Sequence, residues 1–510
     1  MRTIKKLGIA VLAVFAMQAC SDDFFDVNES ENNPTFSTPQ LTLPVAQVNT
    51  AAYVSGGYGS INTLGNLWAY AWSASGSHIW YTEETRYEVN STFRPQTWES
   101  AFQNCMANYN FVENYGRSIG DTVTYSNYTA IAKIMLAYHY QIIVDAYGDA
   151  PYREAFQGGE NPDPAYDNAE FIYDAIYDEL LLAQDLITNG LSDANVIVPG
   201  SEDVMLNGDM EMWAKFANSL KLRILLRQSE MGKDLSAEYT ELASNPYGFL
   251  GAGETVYANP GYVQEAGKQN PLWDGFGLSF DGSLASNAEA TTGTDYIIDF
   301  LQNTNDPRLR QLFTPVGELV PFEYTGGVYT FDGIAQNDNQ TDPTAPQSQD
   351  LSHVGPGVLK GPTQSAIIFS SYESLFLQAE AAERGLLPGS AQTLYETAIA
   401  ESFTELGATG AAGYYGQAIN NVGYAASTNK IEAIITQKWI ALTGTNGFEN
   451  WVEYRRTGYP QNLPAAPNAT STTIPVRLLY PASEVNTNGP NTPDQTGPDA
   501  FSSKVFWDVN

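Results

Sequence analysis

The chain has 510 residues, with 24 Lys and Arg against 58 Asp and Glu and a formal charge of -34. That balance excludes a nucleic-acid binder, which needs a basic face for phosphates, and an electrostatic hold on an anionic membrane surface. An apolar fraction of 43% with 12% aromatics excludes a disordered chain; two cysteines cannot build a disulfide framework, and three histidines leave little room for His-rich metal chemistry.

Arg2, Lys5 and Lys6 open the chain, and an uncharged apolar run follows from Leu7 to Met17. This run is about half as long as a bilayer-spanning helix, so it reads as a secretory signal. It ends at Met17-Gln18-Ala19-Cys20, and a small residue directly before a cysteine resembles a lipoprotein signal. In that reading residues 1–19 are the signal peptide and Cys20 becomes the lipidated N-terminus; the alternative is an ordinary signal with a chance cysteine. Ser21-Asp22-Asp23 resembles the acidic export signal that sends some Gram-negative lipoproteins to the cell surface; otherwise it is a solvated acidic tether. Removing the signal would take three positive charges with it. Residues 20–45, rich in Asn, Ser, Thr and Pro, read as a tether.

From about residue 98 onward helical periodicity dominates. Apolar residues recur at three and four over 98–116, 127–146, 168–188, 210–229, 371–385, 390–406, 428–443 and 447–456. These segments group into about four antiparallel pairs of tetratricopeptide type, although no strict repeat period is visible. Cys105 sits among Ala101, Phe102, Met106 and Ala107, which predicts a buried, inert thiol. Two long irregular stretches, about 243–293 and 314–366, are rich in Gly, Asn and aromatics, and 317–331 alternates enough to suggest a hairpin. The expected architecture is therefore one mainly α domain over 46–510, with a loop-rich subdomain inserted between the second and third helix pairs.

Motifs for catalysis fail on context. Gly116-Arg117-Ser118-Ile119-Gly120 has the spacing of a nucleophile elbow, but it falls between two predicted helices where a strand is required. No phosphate-binding loop and no His-Glu-x-x-His zinc motif occurs. Asn337 to Asp342 looks calcium-like but lacks the central glycine of a calcium loop. No cofactor is expected, and a structural calcium held by scattered oxygens stays open. Carboxylate pairs such as Glu83-Glu84 and Glu380/Glu383 are what chance provides among 58 acidic residues, and Glu380 and Glu383 are expected to pair with Arg384 or face water.

A denser constellation lies in the C-terminal third. It comprises Ser371-Tyr372-Glu373-Ser374-Leu375-Phe376-Leu377-Gln378-Ala379-Glu380-Ala381-Ala382-Glu383-Arg384-Gly385 and Ile435 to Leu442. Glu449-Asn450-Trp451-Val452-Glu453-Tyr454-Arg455-Arg456-Thr457-Gly458-Tyr459-Pro460 follows, then Ile474 to Pro481, Glu484-Val485-Asn486 and the closing Val505-Phe506-Trp507-Asp508. Upstream, Asp145-Ala146-Tyr147-Gly148-Asp149-Ala150-Pro151-Tyr152, Trp213 to Arg227 and Asp306-Pro307-Arg308-Leu309 join the same set. In order and number these segments resemble the SusD/RagB family of outer-membrane nutrient-binding lipoproteins. Residues 61–95 depart from the starch-binding members, as in a divergent SusD-like subgroup. Read on their own chemistry, Arg455-Arg456-Thr457-Gly458 and Gly148-Asp149-Ala150-Pro151 end helices and turn the chain, so these segments identify a scaffold more than a ligand.

The resemblance implies a non-catalytic binder, lipid-anchored at the outer membrane and facing the cell surface. It would act as a lid on a SusC-like TonB-dependent β-barrel and capture oligosaccharides, or peptides, for import. Sugars are held by aromatic faces and polar side chains in shallow sites. The candidate residues are accordingly the aromatics outside the helices: Trp68, Trp72, His78, Trp80 and Tyr81 before the helical body, Trp273 and Phe276 in the first long loop, and Tyr329, with Tyr324 and Phe331, on the suggested hairpin. Asn270 and Arg86 could add hydrogen bonds. Trp98, Trp213 and Trp439 are assigned to the core. For each loop aromatic the competing assignment is packing in a satellite core. An extracellular hydrolase, which needs a perturbed carboxylate pair in a cleft, and a structural lipoprotein without a pocket are the readings from other classes.

Overall fold

The computed structural model describes residues 37–76, 78–336, 344–493 and 499–510. Its first two helices were not expected. Helix α1 (Pro39–Ser55) begins with proline at its first turn, where no N–H partner is lost, and it starts inside the stretch read as tether. Helix α2 (Ile61–Trp68) is capped by Ser60, whose hydroxyl accepts from Thr63 N–H, and all eight of its residues are buried. Helix α1 exposes apolar Leu41 and Val45 while burying polar Thr42, Gln47 and Thr50, which blurs its pattern, and α2 is only eight residues long, too short for the spacing to repeat.

The short helices α3 (Thr82–Arg86) and α4 (Gln96–Ser100) lead into a π-helical turn, Ala101–Met106. Four helix pairs then follow as the periodicity predicts. Helix α5 (Ala107–Ser118) packs on α6 (Ser126–Tyr147), and α7 (Ala169–Gly190), which also packs on α6, pairs with α8 (Met210–Arg227). After α9 (Ser236–Ser244) the chain runs through α10 (Pro271–Phe276), α11 (Asp295–Asn303) and α12 (Leu309–Leu312). Helix α13 (Ser371–Glu383) pairs with α14 (Ala391–Leu406); α15 (Ala411–Tyr415) is short, and α16 (Lys430–Leu442) adjoins α17 (Gly447–Thr457). A last short helix, α18, spans Ala482–Thr487. Helix starts are set by side-chain caps: Asn168, Asp209, Ser370, Ser390, Asn429 and Asn446 each accept a hydrogen bond from the first turn.

Strands are short and pair distant parts of the chain. β1 (Trp72–Ala74) runs antiparallel to β5 (Thr291–Gly293), β2 (Ala150–Pro151) to β3 (Tyr166–Asp167), and β4 (Val256–Ala258) to β6 (Ala366–Phe369). The hairpin suggested over 317–331 has no strand. Its ends approach through one bond from Val316 N–H to the Thr330 carbonyl, and the turn is held by aromatic side chains. Helix α2 crosses α17 where Gly65 meets Gly447; a Cβ on either would collide with the other helix's backbone or side chains.

One buried ionic seam joins the helix pairs. Arg227 contacts Asp145 at 3.3 Å, Glu449 at 2.5 Å and Glu453 at 2.5 Å. Arg223 reaches Glu373 at 3.0 Å and Glu449 at 3.3 Å, and Arg456 binds Glu380 at 2.7 Å and also Glu453. Burial opposes ionisation of Glu380, Glu449 and Glu453, but the guanidinium groups outweigh it and hold all three carboxyls below their ordinary range. For Asp145 and Glu373 burial wins and pushes the carboxyl up. Arg455 lies 3.8 Å above the Trp451 ring and donates to the carbonyls of Val476 and Asp145. Gly458 then caps α17 at a φ of 73°.

Candidate functional site

The aromatic residues singled out from the sequence separate into three groups. Trp68, Trp72, Tyr81, Trp273 and Phe276 are all buried. Trp68 stacks on Phe93 at 5.6 Å, meets Trp451 edge-on at 4.8 Å and donates to the Glu84 carbonyl. Trp72 packs on Phe276 at 5.1 Å. Trp68, Trp72, Trp273 and Phe276 are therefore core, and the assignment of these four to ligand binding is corrected: they sit on α2, β1 and α10 and not on loops, and those elements turn them inward. Asn270 is likewise structural, its side chain capping α10 and bonding the Gln364 carbonyl. Arg86 lies half-buried beside Glu88.

The second group forms a surface site. After β1 the chain leaves the core, exposing Ile79 at 68% and Trp80 at 37%, and turns at Tyr81 into α3. Tyr81 adopts a left-handed φ of 56°, a strained backbone for a tyrosine, and its hydroxyl holds Thr291 of β5 at 2.6 Å. Tyr58, 43% exposed, stacks on Tyr81 at 5.7 Å with their planes 18° apart. Arg94 lies 5.3 Å over the Tyr58 ring, donates to the Tyr58 carbonyl and pairs with buried Glu84 at 3.1 Å. Tyr58, Ile79, Trp80, Tyr81, Glu83 and Asn287 line an open cavity of about 510 Å³. Burial, then Glu84, pushes the Tyr58 hydroxyl up to about 12, so it stays protonated at neutral pH. The result is a shallow aromatic floor with a carboxylate and an amide at its edge. His78 is on the same loop, but its Nδ1 is tied to the Ser75 hydroxyl at 2.8 Å and it does not line the cavity.

Tyr329 belongs to a third group elsewhere. It packs edge-on against Tyr324 at 5.0 Å and Phe322 at 5.9 Å, with Arg310 5.7 Å over Tyr324 and 5.8 Å over Tyr329. Phe331 packs against the main core. The candidate site residues that the sequence reading missed are Tyr58, Ile79, Thr82, Ser286 and Asn287. Tyr58 did carry a signal, being an aromatic framed by Gly56, Gly57 and Gly59.

Other candidates resolve into structure. His139 is buried against Thr50, and burial lowers its ring to about 3; His353 is buried on the carbonyls of Thr291 and Ser348. The Cys105 thiol is pushed up to about 12 by burial. Ser118 ends α5 and donates to the Tyr115 carbonyl, with no strand before it. Glu380 pairs with Arg384 and Arg456, while Glu383 accepts from the Tyr424 hydroxyl. Among the described residues no cluster of three His, Cys, Asp or Glu side chains could hold a metal ion, and no helix is long and apolar enough to cross a membrane. The calcium-like stretch Asn337 to Asp342 and the lipidation candidate Cys20 lie outside the described residues.

The family described as "Starch-binding associating with outer membrane", of SusD-like type, matches residues 32–481. The chain belongs to the SusD-like family. Solved structures agree over most of the length. A chitin-binding protein is 25% identical, with 92% of this chain and 100% of that chain covered and a TM-score of 0.72. A chitin-binding SusD homolog from Flavobacterium johnsoniae is 24% identical, covering 92% and 99% at 0.72. A SusD homolog from Bacteroides vulgatus is 21% identical, covering 92% and 97% at 0.74. No curated relative matches the sequence. This SusD-like protein is thus an outer-membrane-associated nutrient-binding protein of a non-catalytic family linked to outer-membrane transport.

Proposed function

We propose that the protein captures neutral oligosaccharides on the Tyr58–Trp80–Tyr81 floor and delivers them to a SusC-like TonB-dependent β-barrel, anchored at the cell surface by a lipid on Cys20. The observation that carries the ligand class is the half-exposed Trp80 beside stacked Tyr58 and Tyr81, with Glu83 and Asn287 in the same cavity wall. Apolar sugar faces stack on such rings, while hydroxyls bond to the amide and carboxylate. An acidic exterior does not oppose a neutral ligand. The chitin-binding relative at 25% identity supports chito-oligosaccharides as the first ligands to try.

The test is calorimetric titration of the protein from residue 21 onward with neutral oligosaccharides, chito-oligosaccharides among them, and with mixed peptides as a second arm. Heat with sugar, recovery of the sugar intact and loss on Trp80→Ala support capture of glycans. Heat with peptides alone would move the ligand class to peptides on the same scaffold.

A further inference from the structure

A second cavity, of about 320 Å³, shares no lining residue with the Trp80 site. We propose that it binds one small neutral polyhydroxylated ring, a free monosaccharide, independently of oligosaccharide capture. Its walls come from β4, β6, the loop before β6, the end of α14 and the start of α10, with Ser55 and Thr445 completing them.

At its edge lies Glu405, whose side chain is 12% exposed and fixed from two directions. Lys360 Nζ reaches one carboxylate oxygen at 2.5 Å, and the Tyr257 hydroxyl donates to the other at 2.5 Å. The loop is pinned as well. Gln364 Oε1 accepts from the backbone N–H of Lys360 at 2.7 Å and of Gly361 at 3.1 Å, and its Nε2 donates to the Val358 carbonyl at 3.1 Å. Asn270 Nδ2 holds the Gln364 carbonyl at 2.9 Å. Polar groups fixed in this way lose little freedom when a ligand binds.

The chemistry of the wall selects the class. Thr363 and Ser365 add hydroxyls, and Leu272 and Val358 add apolar surface. The one carboxylate already faces the one ammonium, so an anion would meet Glu405 and a cation would compete with Lys360. A neutral ring bearing hydroxyls can donate to Glu405 and accept from Lys360 while leaving their pairing intact. The volume is at the small end of ligand pockets, which fits one ring and not a chain. The Trp80 site is the opposite case, wider and floored by exposed aromatics.

The experiment is saturation-transfer NMR on the protein from residue 21 onward, which keeps every described residue, with glucose, galactose and N-acetylglucosamine as separate probes. At least one probe is expected to receive saturation. Its affinity should fall about tenfold in Glu405→Gln, the loss of one hydrogen bond to a charged group. It should vanish in Thr363→Trp, which fills the cavity from an exposed position, and remain unchanged in Trp80→Ala. Absence of transfer to all three probes, survival of transfer in Thr363→Trp, or its loss in Trp80→Ala would overturn the proposal. If Glu405→Gln does not fold, Thr363→Trp carries the decision. Oligosaccharide binding at the Trp80 site is read separately by calorimetry, so either site can fail without the other.

Discussion

The ionic seam and the Trp80 floor are built on contrary rules. In the seam, Arg223, Arg227 and Arg456 are closed to water, and each meets at least two carboxylates, at least one of them from another segment. At the floor, Trp80 and Tyr58 stay partly exposed, and Tyr81 beneath them is sealed and bonded. A buried charge cannot tolerate a missing partner, so the seam fixes how the helix pairs meet. An exposed ring tolerates change, so the floor is free to serve a ligand. The lesson is that the segments richest in motif describe assembly, while the candidate surface sits where motif is thin.

The largest effect should come from breaking the seam. Arg227→Met leaves Asp145, Glu449 and Glu453 without a shared cation and is expected to cost about 3–5 kcal/mol, read as a lowered urea midpoint. Trp273→Ala should cost a similar amount, about 3–5 kcal/mol, because the ring is core; retained stability with lost sugar binding would reverse that assignment.

Acid should open the seam next. Glu380, Glu449 and Glu453 have folded-state values below the unfolded ones, so their contribution is present above the ordinary carboxylate range and is lost as pH falls through it. Asp145 and Glu373, held up by burial, work in the other direction: they favour the fold at low pH, and that contribution is lost as pH rises through the raised values. Urea midpoints measured from neutral pH down to about pH 3 should fall below about pH 4, the ordinary glutamate range. Glu453→Gln should flatten that fall.

The floor should answer differently. Trp80→Ala is expected to weaken oligosaccharide binding about tenfold or more, while changing stability by no more than about 0.5 kcal/mol. Binding should be flat from mildly acidic to mildly alkaline pH, because Tyr58 titrates only at about 12. The smallest effect is expected for Tyr329→Ala, which should leave oligosaccharide affinity unchanged in the same titration, since Tyr329 packs with Phe322 and Tyr324 away from the cavity.

The same contrast explains what could be read in advance. Helix α7 was legible because Ile172, Ile176, Leu180 and Ile187 keep one buried stripe on a helix whose other faces meet water, and α6, buried almost throughout, because its apolar residues recur at three and four over 22 residues. α1 and α2 were not, since α1 exposes Leu41 and Val45 and buries Thr42, Gln47 and Thr50, and α2 is too short for its spacing to repeat. Trp80 was legible as a loop aromatic, but so were Trp68, Trp72 and Trp273. What sorts them is long-range packing, such as Trp68 on Trp451, which spacing in the chain does not encode. Asn287 carried no signal, because it enters the site through the tertiary path of an irregular segment.

The most direct test of the account is a crystal structure of the protein with a neutral oligosaccharide bound. The account predicts a sugar ring stacked on Trp80 beside Tyr58, with hydroxyls bonded to Asn287 or Glu83 and the ionic seam unchanged. A sugar seated on the Phe322–Tyr324–Tyr329 cluster, with the Trp80 cavity empty, would contradict it.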